Sequence, residues 1–372
     1  IYSVKDGALV HALRGHSGEV NNLHYSPDGA LLATAGDDGT IRAWEADTGR
    51  PYWRAPVLLQ GSEGKAPTLL THQGWTVLDG GAGRAGAQAS SWARAARSRV
   101  RWAVEGDDGR LCVLGHDGAV ELWDRGTDLQ LARHQLPGAR LVARLGRGCV
   151  VVGGPTAAGG GSLRLVEGKS PPVALPIKGK VTALGGGGEE LLVVVARELV
   201  LLDAAGKLRS RRKLDPGVTA VARGAAGRGG GEMLVLGYGN GNLELLPADP
   251  AEARPDYSFE LAPSSPVRAI IAGPMRTLVV GFSNGFVGIW NQDDGKRMKV
   301  ARLHGPVSRL LLKGRSLYAV SDLGQHLTWD LRLFFGGRCE VLREVWKQVP
   351  VSWLSGRPVS KAPPAAHPCR ER

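Results

Sequence analysis

The most informative stretch of this chain is Asp38-Gly39-Thr40-Ile41-Arg42-Ala43-Trp44-Glu45, which is preceded by the pair Gly15-His16. Between them lie two short segments, residues 20–25 and 31–35, separated by the sequence Ser26-Pro27-Asp28-Gly29. Short segments of this length that contain Val, Leu or Tyr and are bounded by Gly, Pro and Asp are typical of β-strands joined by tight turns. The segment therefore predicts three consecutive strands, opened by Gly-His and closed by a tryptophan.

The pattern of the closing strand recurs along the chain. Segments with similar apolar patterns have equivalent positions at 44, 123, 166, 202, 246, 290 and 329. After the first step the spacing of these positions is near the period of about 40–45 residues that indicates a repeat architecture. The first step is nearly two periods long, so residues 60–98 are either a degenerate extra repeat or an insertion.

The Gly-His opening, the Trp-Glu end and this period resemble the WD40 repeat, each copy of which forms one blade of a β-propeller. The resemblance implies an all-β fold of seven blades, or alternatively eight, with four antiparallel strands per blade. It also implies that four residues of the first blade form a buried hydrogen-bonded tetrad: His16, Thr34, Asp38 and Trp44. A buried carboxylate is tolerated when hydrogen bonds satisfy it, so we interpret the tetrad as structural.

The two ends of the chain carry separate predictions. Residues 1–335 are expected to form the propeller, with residues 1–13 pairing with the last blade; residues 8–13 would be its outer strand and would close the ring. Residues 336–372 are expected to form a short helix, from the spacing of apolar residues over 339–349, and an extended Pro-rich tail. Because the chain starts within a blade pattern, we expect a longer parent protein whose catalytic domain, if it has one, lies upstream.

The composition agrees with a turn-rich β protein, with 54 Gly and 22 Pro in 372 residues. No apolar run approaches the roughly 18 residues that span a bilayer, so no membrane partner is predicted. The four cysteines, Cys112, Cys149, Cys339 and Cys369, lack the spacing of a zinc or redox motif. We expect free thiols, with Cys112 and Cys149 buried, in a protein of the reducing cytoplasm.

Catalytic signatures are weak. The G-x-S-x-G spelling at residues 281–285 lies between two predicted strands, whereas a nucleophile elbow joins a strand to a helix. The predicted innermost strands begin with valines, which give a packed ring rather than a shell of metal ligands: Val20, Val100, Val181, Val218, Val267 and Val307. We predict no enzyme, metal or cofactor. The alternative is a propeller enzyme with a metal or cofactor in its central channel.

The function is therefore predicted to be binding. A monomeric, non-catalytic protein–protein interaction scaffold or recruitment module is favoured, and the net charge of +12 suits an acidic or phosphorylated protein partner. Loops on rigid scaffolds carry binding, and Trp and Arg dominate hot spots, so five residues are candidate contacts: Trp75, Trp92, Arg94, Arg97 and Arg99. Because Arg interleaved with aromatics also suits nucleic acid or another acidic ligand, such binding is the alternative.

Two short stretches refine the resemblance. Residues 47–56 and 342–346, together with residues 363–367, resemble bacterial WD40 proteins of a myxobacterial type. In such proteins a propeller is joined to a Ser/Thr kinase or another signalling domain. The resemblance therefore implies that this chain is the C-terminal region of a larger signalling protein, acting in bacterial regulation.

Overall fold

The computed structural model describes residues 1–49 (except 14, 17 and 48), 57–59, 67–71, 74–78, 84–85, 100–155 (except 107, 116 and 140), 161–226 (except 178), 231–249, 257–260, 264–348 (except 336), 351–354, 357–360 and 368–369. Within these residues the chain forms eight antiparallel sheets of three or four strands, one two-stranded hairpin and two helices. In every sheet, strands that are consecutive in the chain are neighbours.

The first four sheets have the following strands. Sheet 1 contains β1 (Val20–Tyr25), β2 (Leu31–Gly36) and β3 (Ile41–Glu45). Sheet 2 contains β4 (Val57–Leu59), β5 (Thr68–Thr71), β6 (Gly74–Val77) and β7 (Arg84–Ala85). Sheet 3 contains β8 (Val100–Glu105), β9 (Arg110–Gly115), β10 (Ala119–Asp124) and β11 (Leu129–Gln135). Sheet 4 contains β12 (Leu141–Leu145), β13 (Gly148–Pro155), β14 (Gly161–Val166) and β15 (Val173–Ala174).

The remaining sheets follow the same order. Sheet 5 contains β16 (Val181–Gly187), β17 (Glu190–Val195), β18 (Glu198–Asp203) and β19 (Leu208–Lys213). Sheet 6 contains β20 (Val218–Arg223), β21 (Met233–Tyr238) and β22 (Leu243–Pro247). Sheet 7 contains β23 (Val267–Ala272), β24 (Thr277–Phe282), β25 (Phe286–Asn291) and β26 (Arg297–Arg302). Sheet 8 contains β27 (Val307–Lys313), β28 (Ser316–Ser321) and β29 (His326–Asp330).

Burial within a sheet falls from its second strand to its fourth. In sheet 7 every residue of β24 is buried, whereas five of the six residues of β26 are exposed. A strand covered on both faces reads as a continuous apolar run, which is the pattern of Thr277–Phe282. The outer strands β19 and β26 are instead rich in Arg and Lys. Charged residues on an edge strand oppose pairing with other chains.

Seven of the sheets are joined in series by shared apolar cores. Clusters of buried residues connect sheets 3 and 4, 4 and 5, 5 and 6, 6 and 7, and 7 and 8. Leu69 and Leu78 then pack against Tyr318 and Val320, which joins sheet 8 to sheet 2, and β4 lies beside β8 to complete the circuit. The predicted all-β propeller is therefore confirmed. Its ring of seven includes sheet 2, which falls in the region for which the sequence left an insertion or an extra blade open.

The remaining sheet, sheet 1, lies outside this series of shared cores. One contact between sheet 1 and the ring is an ion pair, in which the Arg42 guanidinium donates to Asp322 at 3.1 Å, between β28 and β29. All six residues of β1 are exposed. Val20 is 50% exposed, whereas its counterpart Val267 is fully buried. The prediction that Val20 belongs to a packed inner ring is therefore wrong, although the same prediction holds for the other five valines.

A β-bulge marks the same place in the first strands of six sheets. In sheets 1, 3, 5, 6, 7 and 8, one residue after the initial valine is left out of the pairing with the second strand. These bulged residues are all polar: Asn21, Arg101, Thr182, Thr219, Arg268 and Ser308. An extra residue bends a strand and redirects its side chain. The repeated bulge shows that these six sheets, including sheet 1, share one structural pattern.

The N-terminal segment differs from its prediction. Residues 1–13 fold back on themselves, with a bridge between Tyr2 and Leu9 and the Ile1 amino group donating to the carbonyl of His11 at 2.7 Å. His11 contacts the carbonyl of Asp47 beside sheet 1. Among the described residues, sheet 8 has only its own three strands. The segment therefore does not close the ring, because its backbone groups are satisfied locally.

The C-terminal region is more ordered than predicted. A short helix α1 (Arg332–Phe335) is followed by α2 (Arg338–Gln348), which confirms the predicted C-terminal helix. Within the predicted extended tail, β30 (Val351–Leu354) and β31 (Arg357–Ser360) form a hairpin. Paired backbone groups therefore replace an open chain over part of the tail.

The cysteines are paired rather than free. Cys112 on β9 is joined to Cys149 on β13, which links sheets 3 and 4, and Cys339 on α2 is joined to Cys369. Cys112 and Cys149 are fully buried, as predicted. The prediction of four free thiols is wrong because partners 37 and 30 residues apart in sequence meet only in the folded chain.

Candidate interaction surfaces

The predicted tetrad is brought together in sheet 1. His16 Nδ1 lies 3.0 Å from Asp38 Oδ1, and its Nε2 lies 2.8 Å from Thr34 Oγ1. Trp44 Nε1 donates to the same hydroxyl at 2.9 Å. Because a carboxylate only accepts, Nδ1 carries an imidazole proton, and in the neutral ring Nε2 then accepts a hydrogen bond from the Thr34 hydroxyl. Asp38 also accepts from the backbone amide and hydroxyl of Thr40.

These hydrogen bonds engage the polar side-chain groups of all four tetrad residues. The side chains of His16 and Asp38 are 5% and 1% exposed, which leaves no open position for a substrate. The arrangement ties the turn before β3 to the loop that precedes β1. Its chemistry is that of a structural clasp.

The predicted contact residues are mostly outside the described residues. Trp92, Arg94, Arg97 and Arg99 all lie in residues 86–99, which the structure does not describe. Trp75 lies on β6, where its backbone pairs with Leu70 of β5. These five residues therefore remain predictions.

The inner strands provide no described metal site. Among the residues that the structure describes, no three His, Cys, Asp or Glu side chains are grouped closely enough to hold a metal ion. The guanidinium of Arg309 on β27 instead lies 3.9 Å from the ring centre of Trp102 and donates to the carbonyl of Ala103. Burial lowers the pKa of Arg309 to about 10. This contact joins the first strands of sheets 8 and 3.

The basic strand β19 is partly neutralised by neighbouring acids. Arg209 contacts Glu190 at 3.0 Å and Arg211 contacts Glu198 at 3.2 Å, while Arg212 donates to the carbonyl of Pro247. Exposed ion pairs of this kind stabilise a fold by about 0–1 kcal/mol. Their effect here is to reduce the positive charge available to a nucleic-acid backbone.

A groove crosses the turns of sheets 3, 4 and 5. Its volume is about 1020 Å³, and both signs of charge line it: Asp108, Arg110, Arg144, Arg147, Glu167 and Glu189. Arg144 is 3% exposed and binds Asp108 at 2.9 Å, together with the carbonyls of Gly146 and Gly148. Burial lowers the pKa of Arg144, and Asp108 opposes that shift. The sequence analysis missed this groove because its residues come from five separate turns.

The charged residues of the groove differ in whether they have an ion-pair partner. Arg144 and Arg110 are both near Asp108, with the second pair at 3.8 Å. Arg147, Glu167 and Glu189 are exposed, and none of them forms an ion pair with another described residue. The groove therefore offers one cationic and two anionic side chains to a partner, on a base held rigid by a buried arginine.

One family model matches the N-terminal part of the chain. Residues 7–45 match the family model described as WD domain, G-beta repeat. This segment is similar to a WD40 repeat. It covers the Gly-His opening, the tetrad and all of sheet 1.

Three curated fungal relatives share a short segment with this chain. The ribosome biogenesis protein erb1 of Neosartorya fischeri is 54% identical over 46 residues, or 12% of this chain and 6% of that protein. Its namesake in Chaetomium thermophilum is 52% identical over 50 residues, 13% of this chain and 6% of that protein. The Ajellomyces capsulatus protein is 58% identical over 40 residues, 11% and 5% of the two chains. The match thus spans about 6% of the length of these relatives.

Two solved structures are similar in arrangement at low identity. The computationally designed Ika8 protein aligns with a TM-score of 0.49 and 16% identity, covering 86% of this chain and 98% of that one. BamB from Moraxella catarrhalis aligns with a TM-score of 0.42 and 15% identity, covering 84% and 86% of the two chains. Neither of the two helices in the described residues has the length and hydropathy of a membrane span.

Proposed function

We propose that this chain is a non-catalytic protein-interaction scaffold that acts in the assembly of ribosomes. The observation that carries the proposal is the WD40 repeat, which is more than half identical to ribosome biogenesis proteins over about 46 residues. The tetrad is consumed by structural hydrogen bonds, which supports a binding role over a catalytic one. The relatives favour ribosome assembly over the bacterial signalling role predicted from sequence.

The groove of sheets 3 to 5 is the proposed contact surface for a partner protein. Arg147 suits an acidic or phosphorylated residue of the partner, whereas Glu167 and Glu189 suit a basic one. Fixed charges of both signs reject a wrong partner through like-charge repulsion and set the register of the correct one. The partner is therefore a protein segment that carries both signs of charge, which refines the acidic partner predicted from sequence.

Co-sedimentation tests the proposal. The tagged chain is expressed in a fungal cell and its lysate is separated on a sucrose gradient, with ribosomal precursor particles followed by their RNA. We expect the chain to sediment with the particles. The double variant R147E/E189K should shift at least half of it to the free fractions, since each broken charged contact weakens binding several-fold.

The matched control is Lys169→Glu, an exposed charge reversal next to the groove lining. It should leave the gradient profile unchanged. A chain that stays in the free fractions at all salt concentrations contradicts the proposed role in ribosome assembly. A chain that sediments with the particles whether or not the groove is altered contradicts only the proposed contact surface.

A further inference from the structure

The outer strand of sheet 7 has an open edge. Within the described chain β26 pairs only with β25, and five of its six residues are exposed. The amide of Leu303 donates to the carbonyl of Gly285 at 2.8 Å, so the backbone of Leu303 points toward β25. Because alternate residues of an antiparallel strand present their backbone groups to opposite edges, Val300 and Arg302 direct theirs outward. No described residue bonds to those outward groups.

Two cations are held on opposite faces of this edge. The Lys299 Nζ lies 4.7 Å from the ring centre of Trp329, on β29 of sheet 8. The Arg302 guanidinium lies 5.5 Å from the ring centre of Phe286, which is its cross-strand partner on β25. Residues three apart in a strand lie on opposite faces of the sheet. The aromatic rings fix where these side chains lie but leave their positive charge without a counter-charge.

The other outer strands are neutralised by their own sheets. In β19, Arg209 and Arg211 each have a glutamate partner, at 3.0 and 3.2 Å. In β11, Arg133 has a glutamate at 3.6 Å. Lys299 and Arg302, in contrast, form no ion pair with another residue that the structure describes. The edge of β26 therefore combines unpaired backbone groups with positive charge that the described chain does not balance.

We propose that an extended acidic segment of a partner protein binds along β26 as a fifth strand of sheet 7. Its backbone would pair with Val300 and Arg302, as in other cases of strand addition, and its carboxylates would contact the two cations. Basic residues on an edge oppose pairing with another basic strand, including a second copy of this chain of net charge +12, but attract an acidic one.

The start of the strand shows that a carboxylate suits this edge. The Glu260 side chain accepts a hydrogen bond from the backbone amide of Arg297 at 2.8 Å. The proposed segment would continue from this point along the strand. Its surface is separate from the groove of sheets 3 to 5, so this proposal and the proposed role in ribosome assembly can fail independently.

Peptide binding tests the charge requirement. The probe is a fluorescently labelled synthetic peptide of about eight residues, built from the repeat Glu-Glu-Val-Thr, which places carboxylates on both faces of a strand. We expect saturable binding by fluorescence anisotropy, and no binding of the peptide with Lys in place of Glu. The variant K299E/R302E should weaken binding at least tenfold. The control R209E/R211E on β19 changes the net charge equally and should weaken it less than about threefold. Equal weakening by both variants would overturn the proposal.

The variant Val300→Pro tests the backbone requirement. Proline lacks the N–H group and is tolerated on an edge strand where that group faces solvent, so the pairing with β25 and both cations are retained. We expect Val300→Pro to weaken peptide binding at least about fivefold, with melting measured to confirm folding. Unchanged binding would show that charge alone attracts the peptide, and the fifth strand would be wrong.

Hydrogen exchange provides a measurement on the unaltered chain. The amides of Val300 and Arg302 should exchange fast in the chain alone and at least about tenfold more slowly with saturating peptide. Slow exchange without peptide would mean that the chain covers its own edge, which contradicts the proposal. The proposal also fails if single-stranded oligouridylate, rather than the acidic peptide, binds in a way that K299E/R302E abolishes, because the edge would then be a nucleic-acid site.

Discussion

A single hydroxyl group, that of Thr34, connects His16 with Trp44 in the buried clasp of sheet 1. Replacement by valine keeps the shape but leaves the Trp44 N–H and the imidazole without their partner. Buried groups left unsatisfied in this way destabilise by about 1–3 kcal/mol each. We expect Thr34→Val to lower the free energy of unfolding of sheet 1 by about 2 kcal/mol, measured by hydrogen exchange of β2 amides.

Thr182→Val is the matched control for that change. Thr182 is exposed, and its hydroxyl makes only a long contact of 3.4 Å with the carbonyl of Val194. Its replacement should change the exchange free energies by less than about 0.5 kcal/mol. Equal effects of the two variants would show that the clasp does not stabilise sheet 1.

Asp322 gives a prediction about pH at the same scale. Burial raises the pKa of Asp322 above its ordinary value of 3.8, and Arg42 opposes this shift. The folded chain therefore holds this proton more tightly than the unfolded chain, so its contribution to stability falls as pH rises from about 3.8. We expect Asp322→Asn to remove that fall, as measured by urea unfolding at several pH values.

Asp330, whose pKa is shifted in the opposite direction, serves as the control. Hydrogen bonding to the backbone of Arg332 lowers the pKa of Asp330, so its contribution is lost as pH falls. Asp330→Asn should therefore change the pH profile below about 3.8 in the reverse direction. Identical profiles for both variants would contradict the assignment of the raised pKa to Asp322.

The residues of the clasp were predictable and those of the ion pair were not. His16, Thr34, Asp38 and Trp44 lie within one repeat, so a resemblance to a single known unit predicts their meeting. Arg42 and Asp322 are separated by 280 positions and meet because sheets 1 and 8 do. Sequence spacing within a repeat carries no information about which distant turn will lie beside it.

At the scale of elements, the contact between Arg144 and Asp108 joins the turns of sheets 3 and 4. Removing the carboxylate leaves a buried guanidinium with only carbonyl acceptors. Because Asp108 is itself 39% exposed, water screens part of the pair. We expect Asp108→Ala to destabilise the chain by about 1–2 kcal/mol in urea unfolding.

Asp117→Ala is a suitable comparison for that substitution. Asp117 is equally exposed, and its partner Arg133 is 49% exposed at 4.0 Å. Exposed pairs of this kind contribute about 0–1 kcal/mol. If both aspartates give the same small loss, the burial of Arg144 has no energetic consequence.

The disulfide between β9 and β13 is a second link of the same two sheets. In the chain-entropy model, closing a loop of 37 residues stabilises by about 3–4 kcal/mol. We expect the double variant C112A/C149A to lower the unfolding free energy by about that amount. In the unaltered chain both sulfurs are buried. A reductant should therefore break this disulfide, and so lower the melting temperature, only once sheets 3 and 4 have separated.

Elements were predicted well where the apolar pattern was local and poorly where pairing was distant. The strand runs and helix α2 follow from periodicity over a few residues. The closing strand was wrong because residues 8–13 have the apolar content of a strand but find hydrogen bonds within the first 13 residues. Pairing between strands at the two ends of a chain depends on long-range contacts, which a local sequence pattern does not specify.

For the whole molecule, the ring of seven sheets predicts what happens when sheet 1 is removed. Sheets 2 to 8 are joined through shared apolar cores and strand contacts, whereas sheet 1 has no described apolar core in common with them and is linked to them by contacts such as the pair of Arg42 and Asp322. A chain starting at residue 46 should therefore unfold cooperatively, with a melting temperature within about 5 °C of the full chain. Calorimetry measures both properties.

Removal of an equivalent piece at the other end provides the contrast. A chain ending at residue 303 loses sheet 8, whose residues pack against Val279 on one side and Leu69 on the other. It should lose its cooperative transition. If the two truncations behave alike, sheet 1 is a full member of the ring.

The repeat period predicted a propeller with seven blades or eight, and both numbers describe part of the structure. The period counts units but does not decide which of them share a core. That choice depends on the exposed fraction of β1 and on the pairing of β4 to β7, which arise from packing between distant segments. The sequence therefore predicts a propeller but does not predict which sheets belong to its ring.

The recurring bulge has a consequence for protein engineering. A bulged residue does not belong to the hydrogen-bond ladder, so replacing its side chain leaves strand pairing intact. Six such positions recur at one register, from Asn21 to Ser308, and they already tolerate amide, guanidinium and hydroxyl groups. They form a set of equivalent positions for introducing new side chains, except where the present side chain bonds a neighbouring sheet, as the Thr219 hydroxyl does to the carbonyl of Val267 at 2.8 Å.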